Sequence, residues 1–133
     1  MTQELLQQLE KITPEEERIL AGEKTIEKEI YMAEDSNVID SRKLLEAGKL
    51  IQVRTHTRFI HFPKHTHNYV EMIYMCQGST VHTINGDRIE LKTGELLILN
   101  QNAVQEIEPA GRDDIAVNFL ILPEFFDQTL RMI

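Results

Sequence analysis

Apolar positions open the chain with a helical period. Leu5, Leu6, Leu9 and Ile12 form one stripe, with Gln and Glu on the remaining face. Thr13-Pro14-Glu15-Glu16 then predicts a second helix start, because Thr13 can cap, Pro14 suits the first helical position and Glu16 can complete a capping box. Gly22 is a natural stop. Across residues 23–46 the apolar positions Ile26, Ile30 and Met32 fit a strand or a helix equally well. Asp40-Ser41 ahead of Lys43-Leu44-Leu45 predicts one more helical turn, ended by Gly48.

From about Leu50 the texture changes to short strands divided by turn residues. Leu50–Phe62 is rich in β-branched and aromatic residues, Val70–Cys76 is nearly all apolar, and Ser79–Ile84 alternates. Asn85-Gly86 is a strong two-residue hairpin turn into Asp87–Leu91. Thr93-Gly94 marks a further turn before Glu95–Leu99. Val104–Glu108 and Ile115–Leu122 read as the last strands, separated by Pro109-Ala110-Gly111. About seven short antiparallel strands at this spacing predict a mainly β fold, a small barrel or double-sheet jelly roll. Met72–Cys76 and Leu96–Leu99 are apolar at both parities, so one face fills the interior and the other needs cover. The arm in residues 1–20 or a second subunit could supply it. After Pro123 the period turns helical again, with Phe126, Leu130 and Ile133 on one stripe. That pattern has no C-cap, which leads us to expect further chain beyond it in the natural protein.

These patterns divide the chain into an N-terminal arm (1–48), a β-domain (49–122) and the start of a C-terminal helix (123–133). A length of 133 residues suits one domain with a real core. Charge narrows the function classes. The formal net charge is -8, with twelve Asp/Glu against six Lys/Arg in residues 1–46. Such a surface repels phosphate backbones, and no basic cluster compensates, so DNA or RNA binding by this segment is not expected. One cysteine, Cys76, excludes an internal disulfide framework and fits a reducing compartment. With no basic-apolar leader and no apolar run of membrane-spanning length, a cytoplasmic protein is expected.

The candidate chemistry lies in His65-Thr66-His67-Asn68-Tyr69-Val70-Glu71, with Gly78 beyond. On an extended strand, side chains at positions 65, 67 and 71 share a face and can converge. Two imidazoles and a carboxylate facing one point suit a divalent metal with open positions for ligand or water. A hydrogen-bonded polar cluster without metal is the plainer alternative. Ile73 and Met75 share the parity of Glu71 and are expected to line the same pocket. His56 and His61 have opposite parities and read as surface or edge residues, and His82 is left outside the site. Arg54 and Arg58 read as surface salt-bridge residues, and Glu15-Glu16-Glu17 as a solvated helix start.

The spacing His65-x-His67-x3-Glu71-x6-Gly78 resembles the first signature motif of the cupin superfamily. The motif's opening Gly is replaced by Phe59. A degraded second motif follows: Gly94, then Asn100 for the usual Pro, Asn102 for Gly, and Gln105 where a third metal-binding His would stand. The resemblance implies a metal position at His65, His67, Glu71 and Gln105, taking Zn, Ni, Fe or Mn. A neutral amide oxygen is a poorer donor to such metals than imidazole.

Most of the chain also resembles the N-terminal ligand-binding and dimerisation domain of AraC-type transcriptional regulators. Phe62–Tyr74, Ile84-Asn85-Gly86, Thr93–Leu99 and the helix opening Pro123-Glu124-Phe125-Phe126 carry that likeness. It implies a cupin (jelly-roll) barrel with a helical arm and a C-terminal helix, sensing a small molecule, often a sugar, as a homodimer. The pocket would comprise His65, His67, Glu71, Gln105, Ile73 and Met75. DNA would be bound only by helix-turn-helix units outside this chain. A stand-alone metal-dependent cupin enzyme, of dioxygenase or isomerase type, is the alternative.

Overall fold

A computed structural model describes residues 2–34 and 36–131, with side chains to 127; Leu130, Met132 and Ile133, and so part of the expected C-terminal stripe, lie outside the described side chains. The arm comprises α1 (Gln3–Glu10), α2 (Pro14–Leu20), α3 (Lys28–Tyr31), β1 (Val38–Ile39) and α4 (Ser41–Leu44). The expected capping box is present: Glu16 N–H donates to Thr13 Oγ1, and Thr13 N–H donates to Glu16 Oε1. Asp40 caps α4 by accepting from Arg42 N–H.

The β-domain contains β2 (Ile51–Thr55), β3 (Phe62–His67), β4 (Val70–Gln77), β5 (Ser79–Ile84), β6 (Asp87–Lys92), β7 (Leu96–Leu99), β8 (Gln105–Ile107) and β9 (Ile115–Ile121), followed by α5 (Pro123–Arg131). They form two facing sheets, ordered β1-β3-β8-β5-β6 and β2-β9-β4-β7. All pairings are antiparallel except β1 on β3, so the arm extends the first sheet by one short strand. This is the double-sheet jelly roll that the sequence predicts; the two sheets face each other without joining through strand pairing. Among the described residues, no helix is long and apolar enough to cross a membrane.

Turn chemistry follows the sequence. Asn85 and Gly86 both have positive φ (50° and 90°), the mirror-image turn whose twist matches its flanking strands. Gly78, at φ 76°, sits between β4 and β5 with Asp114 pressed against it, so that a Cβ there would collide with the Asp114 side chain and backbone. Phe59, standing where the cupin motif has glycine, also has a left-handed backbone, φ 73°. That conformation costs a bulky residue about 1–2 kcal/mol. Here it is held by Phe59 N–H donating to Ala110 O at 2.8 Å and by the Arg58 and Arg112 guanidinium groups over its ring.

The core has two apolar clusters with a polar layer between them. The first joins the arm to the sheets through Ile19, Tyr31, Ile39, Phe62, Tyr69 and Leu120; the second gathers Ile73, Met75, Leu91, Leu99, Ala103 and Ala116. Inward positions along single strands show the layering. On β4, Glu71 falls between Tyr69 and Ile73, and on β9, Asn118 falls between Leu120 and Ala116. The opposite face of β2-β9-β4-β7 carries Val53, Phe119, Met72 and Ile98 in one cross-strand row. Ile98 and Val53 remain 60% and 51% exposed, so the arm does not cover this face.

Candidate functional site

Each strand contributes to the polar layer by parity. β3 supplies His65 and His67, β4 Glu71, β5 Thr80 and His82, and β8 Gln105, all of them buried. Register brings them together: His65 lies opposite Gln105, and Ile84 opposite Gln105 on the other side, which places His82 two residues from that pair on the same face. His82 therefore belongs to the site, a correction to the sequence reading. Its strand turns even positions inward, as the burial of Thr80 and His82 shows.

Gln105 is the hub. Its amide N–H donates to Glu71 Oε1 at 3.1 Å, and its Oε1 accepts from His82 Nδ1–H at 2.7 Å. Thr80 Oγ1 lies 2.7 Å from His82 Nε2 and donates to it. The hydrogen bonds thus run in one direction, Thr80 to His82 to Gln105 to Glu71, and end on the only obligate acceptor. His65 donates from Nδ1 to Pro63 O at 2.7 Å, leaving Nε2 as an acceptor. His67 Nε2 lies 3.5 Å from Gln105 Nε2 and 3.6 Å from Glu71 Oε1, and its buried Nδ1 has no partner.

Burial dominates the protonation of these groups. It lowers His65 and His67 to about 4, against a small opposing effect at His65 from the Pro63 carbonyl. Burial also lowers His82, partly offset by Gln105, and raises Glu71, partly offset by the Gln105 amide. The imidazoles are neutral at pH 7.

Neutral imidazoles suit metal ligation, but the rest of the arrangement does not. Among the described residues, no three His, Cys, Asp or Glu side chains converge to hold a metal ion. Gln105 turns its N–H₂ toward Glu71 and His67, and a hydrogen-bond donor repels a cation. The set His65, His67, Glu71 and Gln105 comes together as expected, yet as arranged it fits a metal poorly.

Beside this network lies a cavity of about 40 Å³, space for a few waters. His65, Glu71 and Gln105 line it, together with Arg54, His56, Tyr69 and Asn118 from the sheets and Tyr31, Ile39 and Leu44 from the arm. Ile73 and Met75, expected as lining, instead pack into the second apolar cluster, and His67 sits behind the wall. Their parity was right, but they lie too far along the strands. His56, expected at the surface, is 5% exposed and is lowered by burial to about 4; His61 is exposed as expected and pairs with Glu106 at 2.6 Å.

The arm is tied down by charges that the sequence presented as solvated. Arg58 is 1% exposed, not a surface residue: its Nε and Nη2 donate to Glu16 at 2.8 and 3.0 Å, and further bonds reach the carbonyls of Arg112, Glu10 and Lys11. Glu15 accepts from Tyr31 Oη–H at 2.7 Å and from Thr57 Oγ1–H at 3.1 Å. Of the three acidic residues, only Glu17 remains at the surface. The signal that could have found this was a capping-box Glu on an arm that must dock somewhere, with Arg58 the inward cation facing it.

Solved structures of similar shape include a cupin protein of Bacteroides fragilis (23% identity, TM-score 0.44, covering 58% of this chain and 70% of that one). Others are the cupin domain of Schizosaccharomyces pombe Cnp3 (14%, 0.49, 68% of each) and a Neisseria meningitidis protein (13%, 0.49, 82% and 98%). No curated protein sequence matches the chain. The sequence profile of the AraC-like ligand binding domain matches residues 50–131, which span β2 to α5 and include His65, Glu71, Asn118 and Gln105. The chain folds as two facing, mainly antiparallel sheets and belongs to the AraC-like ligand-binding domain family.

Proposed function

We propose that this chain is the small-molecule-sensing part of an AraC-type transcriptional regulator, working without catalysis. The observation that carries the reading is a cavity of mixed polar and apolar lining, walled on one side by the arm, within a chain of this ligand-binding family. Its present volume admits water but nothing the size of a sugar, whose pockets usually enclose several hundred Å³. Ligand entry therefore requires the wall formed by Tyr31, Ile39 and Leu44 to move. Binding would favour one arrangement of arm and sheets over another, and that difference is the signal.

Coupling of this kind is reciprocal, so in the full-length regulator operator DNA should change effector affinity by the same factor that effector changes operator affinity. Calorimetric titration with and without operator tests it. Identical affinities would remove the sensing mechanism, and a reading frame without helix-turn-helix units would remove the regulator.

The site acts as a metal-free hydrogen-bonded floor in this proposal. Purified protein should carry far less than one equivalent of Zn, Ni, Fe or Mn by elemental analysis, whereas Gln105→His, which exchanges the amide for a third imidazole, should take up metal. Stoichiometric metal in the wild type, lost in a His65→Ala/His67→Ala variant, would instead favour a metallo-cupin.

A further inference from the structure

Whether a side chain around the cavity is already hydrogen-bonded separates structural groups from those left for a ligand. Glu71, Gln105 and His82 are committed to one another, and Tyr31 to Glu15 and Thr57. Arg54 is not. It lines the cavity from β2, yet among the described residues its guanidinium makes no hydrogen bond or ion pair; its one close contact is the Tyr31 ring, 5.3 Å from Cζ. Tyr69 is 1% exposed and lines the same cavity with a hydroxyl that has no partner. Asn118 stands directly opposite Arg54 across β2 and β9, its amide makes no hydrogen bond, and its Oδ1 is buried and unpaired.

Leaving a buried phenol and a carboxamide unpaired costs about 1–3 kcal/mol each in a folded core. The Arg54 cation beside them has the Tyr31 ring face but no hydrogen-bonded counter-charge among the described residues. Their common remedy is an occupant rich in acceptors and negatively charged. The free acceptors of the set are Asn118 Oδ1 and His65 Nε2, whose Nδ1 proton is engaged by Pro63, and they ask for hydroxyl donors.

The geometry points to a small hydroxycarboxylic acid as the occupant of this cavity, with Arg54 as counter-ion to its carboxylate. Tyr69 and Asn118 donate to the same end of the molecule, and His65 Nε2 accepts from its hydroxyl. Arg54 and Asn118 are cross-strand neighbours with Cβ atoms about 5 Å apart, a span that a single carboxylate can bridge. Glu71 lines the same cavity, and burial raises its carboxyl and favours the uncharged acid, the form that does not repel a bound carboxylate. This assignment rests on the sensing function and adds the ligand's chemical class to it.

Acid and neutral probes matched in carbon skeleton test it: gluconate against glucitol, galacturonate against galactose, and lactate against glycerol, each titrated calorimetrically into the full chain at up to millimolar concentration. At least one acid is expected to bind while its neutral counterpart binds at least tenfold more weakly. Arg54→Met should lose at least tenfold in affinity for that acid, and Arg54→Lys should recover part of it. Unchanged thermal midpoints in both variants guard against misfolding, since Arg54 has no protein ion pair to lose. A neutral member binding as tightly as its acid, or an acid binding Arg54→Met undiminished, overturns the ligand class and leaves sensing intact. Failure of every probe of both kinds overturns the class together with the sensing reading.

Discussion

Arg58→Met is expected to destabilise the protein by about 3–5 kcal/mol, a large share of the stability of a domain this size. The loss arises from what stays behind. Glu16 is 1% exposed, and without the Arg58 side chain its carboxylate would be buried with no counter-charge, bonded only to the backbone N–H groups of Thr13 and residue 58. The carbonyls of Glu10, Lys11 and Arg112 lose their donor as well. Burial pushes Glu16 up, but the Arg58 and Thr13 hydrogen bonds outweigh it and hold the carboxyl below its ordinary range. Because the cost is that of an orphaned charge, Arg58→Met combined with Glu16→Leu should recover most of it. Urea unfolding of the two single variants and the double one measures this. A single Arg58→Met cost within about 1 kcal/mol, or a double variant worse than the sum, would show that the pair does not anchor the arm.

Acid is expected to act on the histidine layer before it reaches that ion pair. His56, His65 and His67 are lowered by burial to about 4, against an unfolded value near 6.5. The unfolded chain therefore binds more protons between these limits. The stability these residues leave intact above pH 6.5 is lost as pH falls toward 4. At 1.36 kcal/mol per pKa unit, each imidazole carries a full penalty of roughly 3 kcal/mol. Glu71, raised by burial, shifts the opposite way: it takes up a proton readily in the folded state on acidification and offsets part of the loss. Glu16, lowered, gives up its contribution only below the ordinary carboxylate range. The thermal midpoint should thus fall by about 10 °C or more between pH 7 and pH 5. His56→Phe, which removes one of these buried imidazoles, should flatten that fall. A midpoint constant from pH 7 to 5, dropping only below pH 4, would assign acid lability to carboxylates alone.

Both expectations bear on sensing. The ion pair fixes α2, α2 holds Tyr31 through Glu15, and Tyr31 is part of the cavity wall. Loosening that chain of contacts opens the cavity at the same place where ligand must enter.

Local chemistry made much of the fold legible in the sequence. Thr13-Pro14-x-Glu16, Asn85-Gly86 and Gly78 act within a few residues of themselves, so their caps and turns follow wherever the rest of the chain goes. Strand period alone placed Glu71, Ile73 and Met75 on one inward face. The resemblance carried by His65-x-His67-x3-Glu71-x6-Gly78 and by the degraded second motif implied the jelly roll and the convergence of His65, His67, Glu71 and Gln105.

Position along a shared face was decided elsewhere. Period says which side a residue takes but not which layer of the core it meets, so Ile73 and Met75 went to an apolar cluster and His82 entered the site. Parity held through the loop after β2, where the even positions His56, Arg58, Ile60 and Phe62 are all buried, but an inward polar side chain looks like a surface one until its distant partners are known. The charges of Glu15, Glu16 and Arg58 looked solvated because each lies far in sequence from its partner: Glu16 and Arg58 are 42 residues apart. Sequence by itself determined the elements, their inward faces and the family, since these depend on short-range sterics and period. Only the tertiary structure decided that Gln105 presents its N–H₂ where a metal would need a donor atom, and that Arg54 was left facing a cavity with no partner, because both depend on which distant groups had already paired.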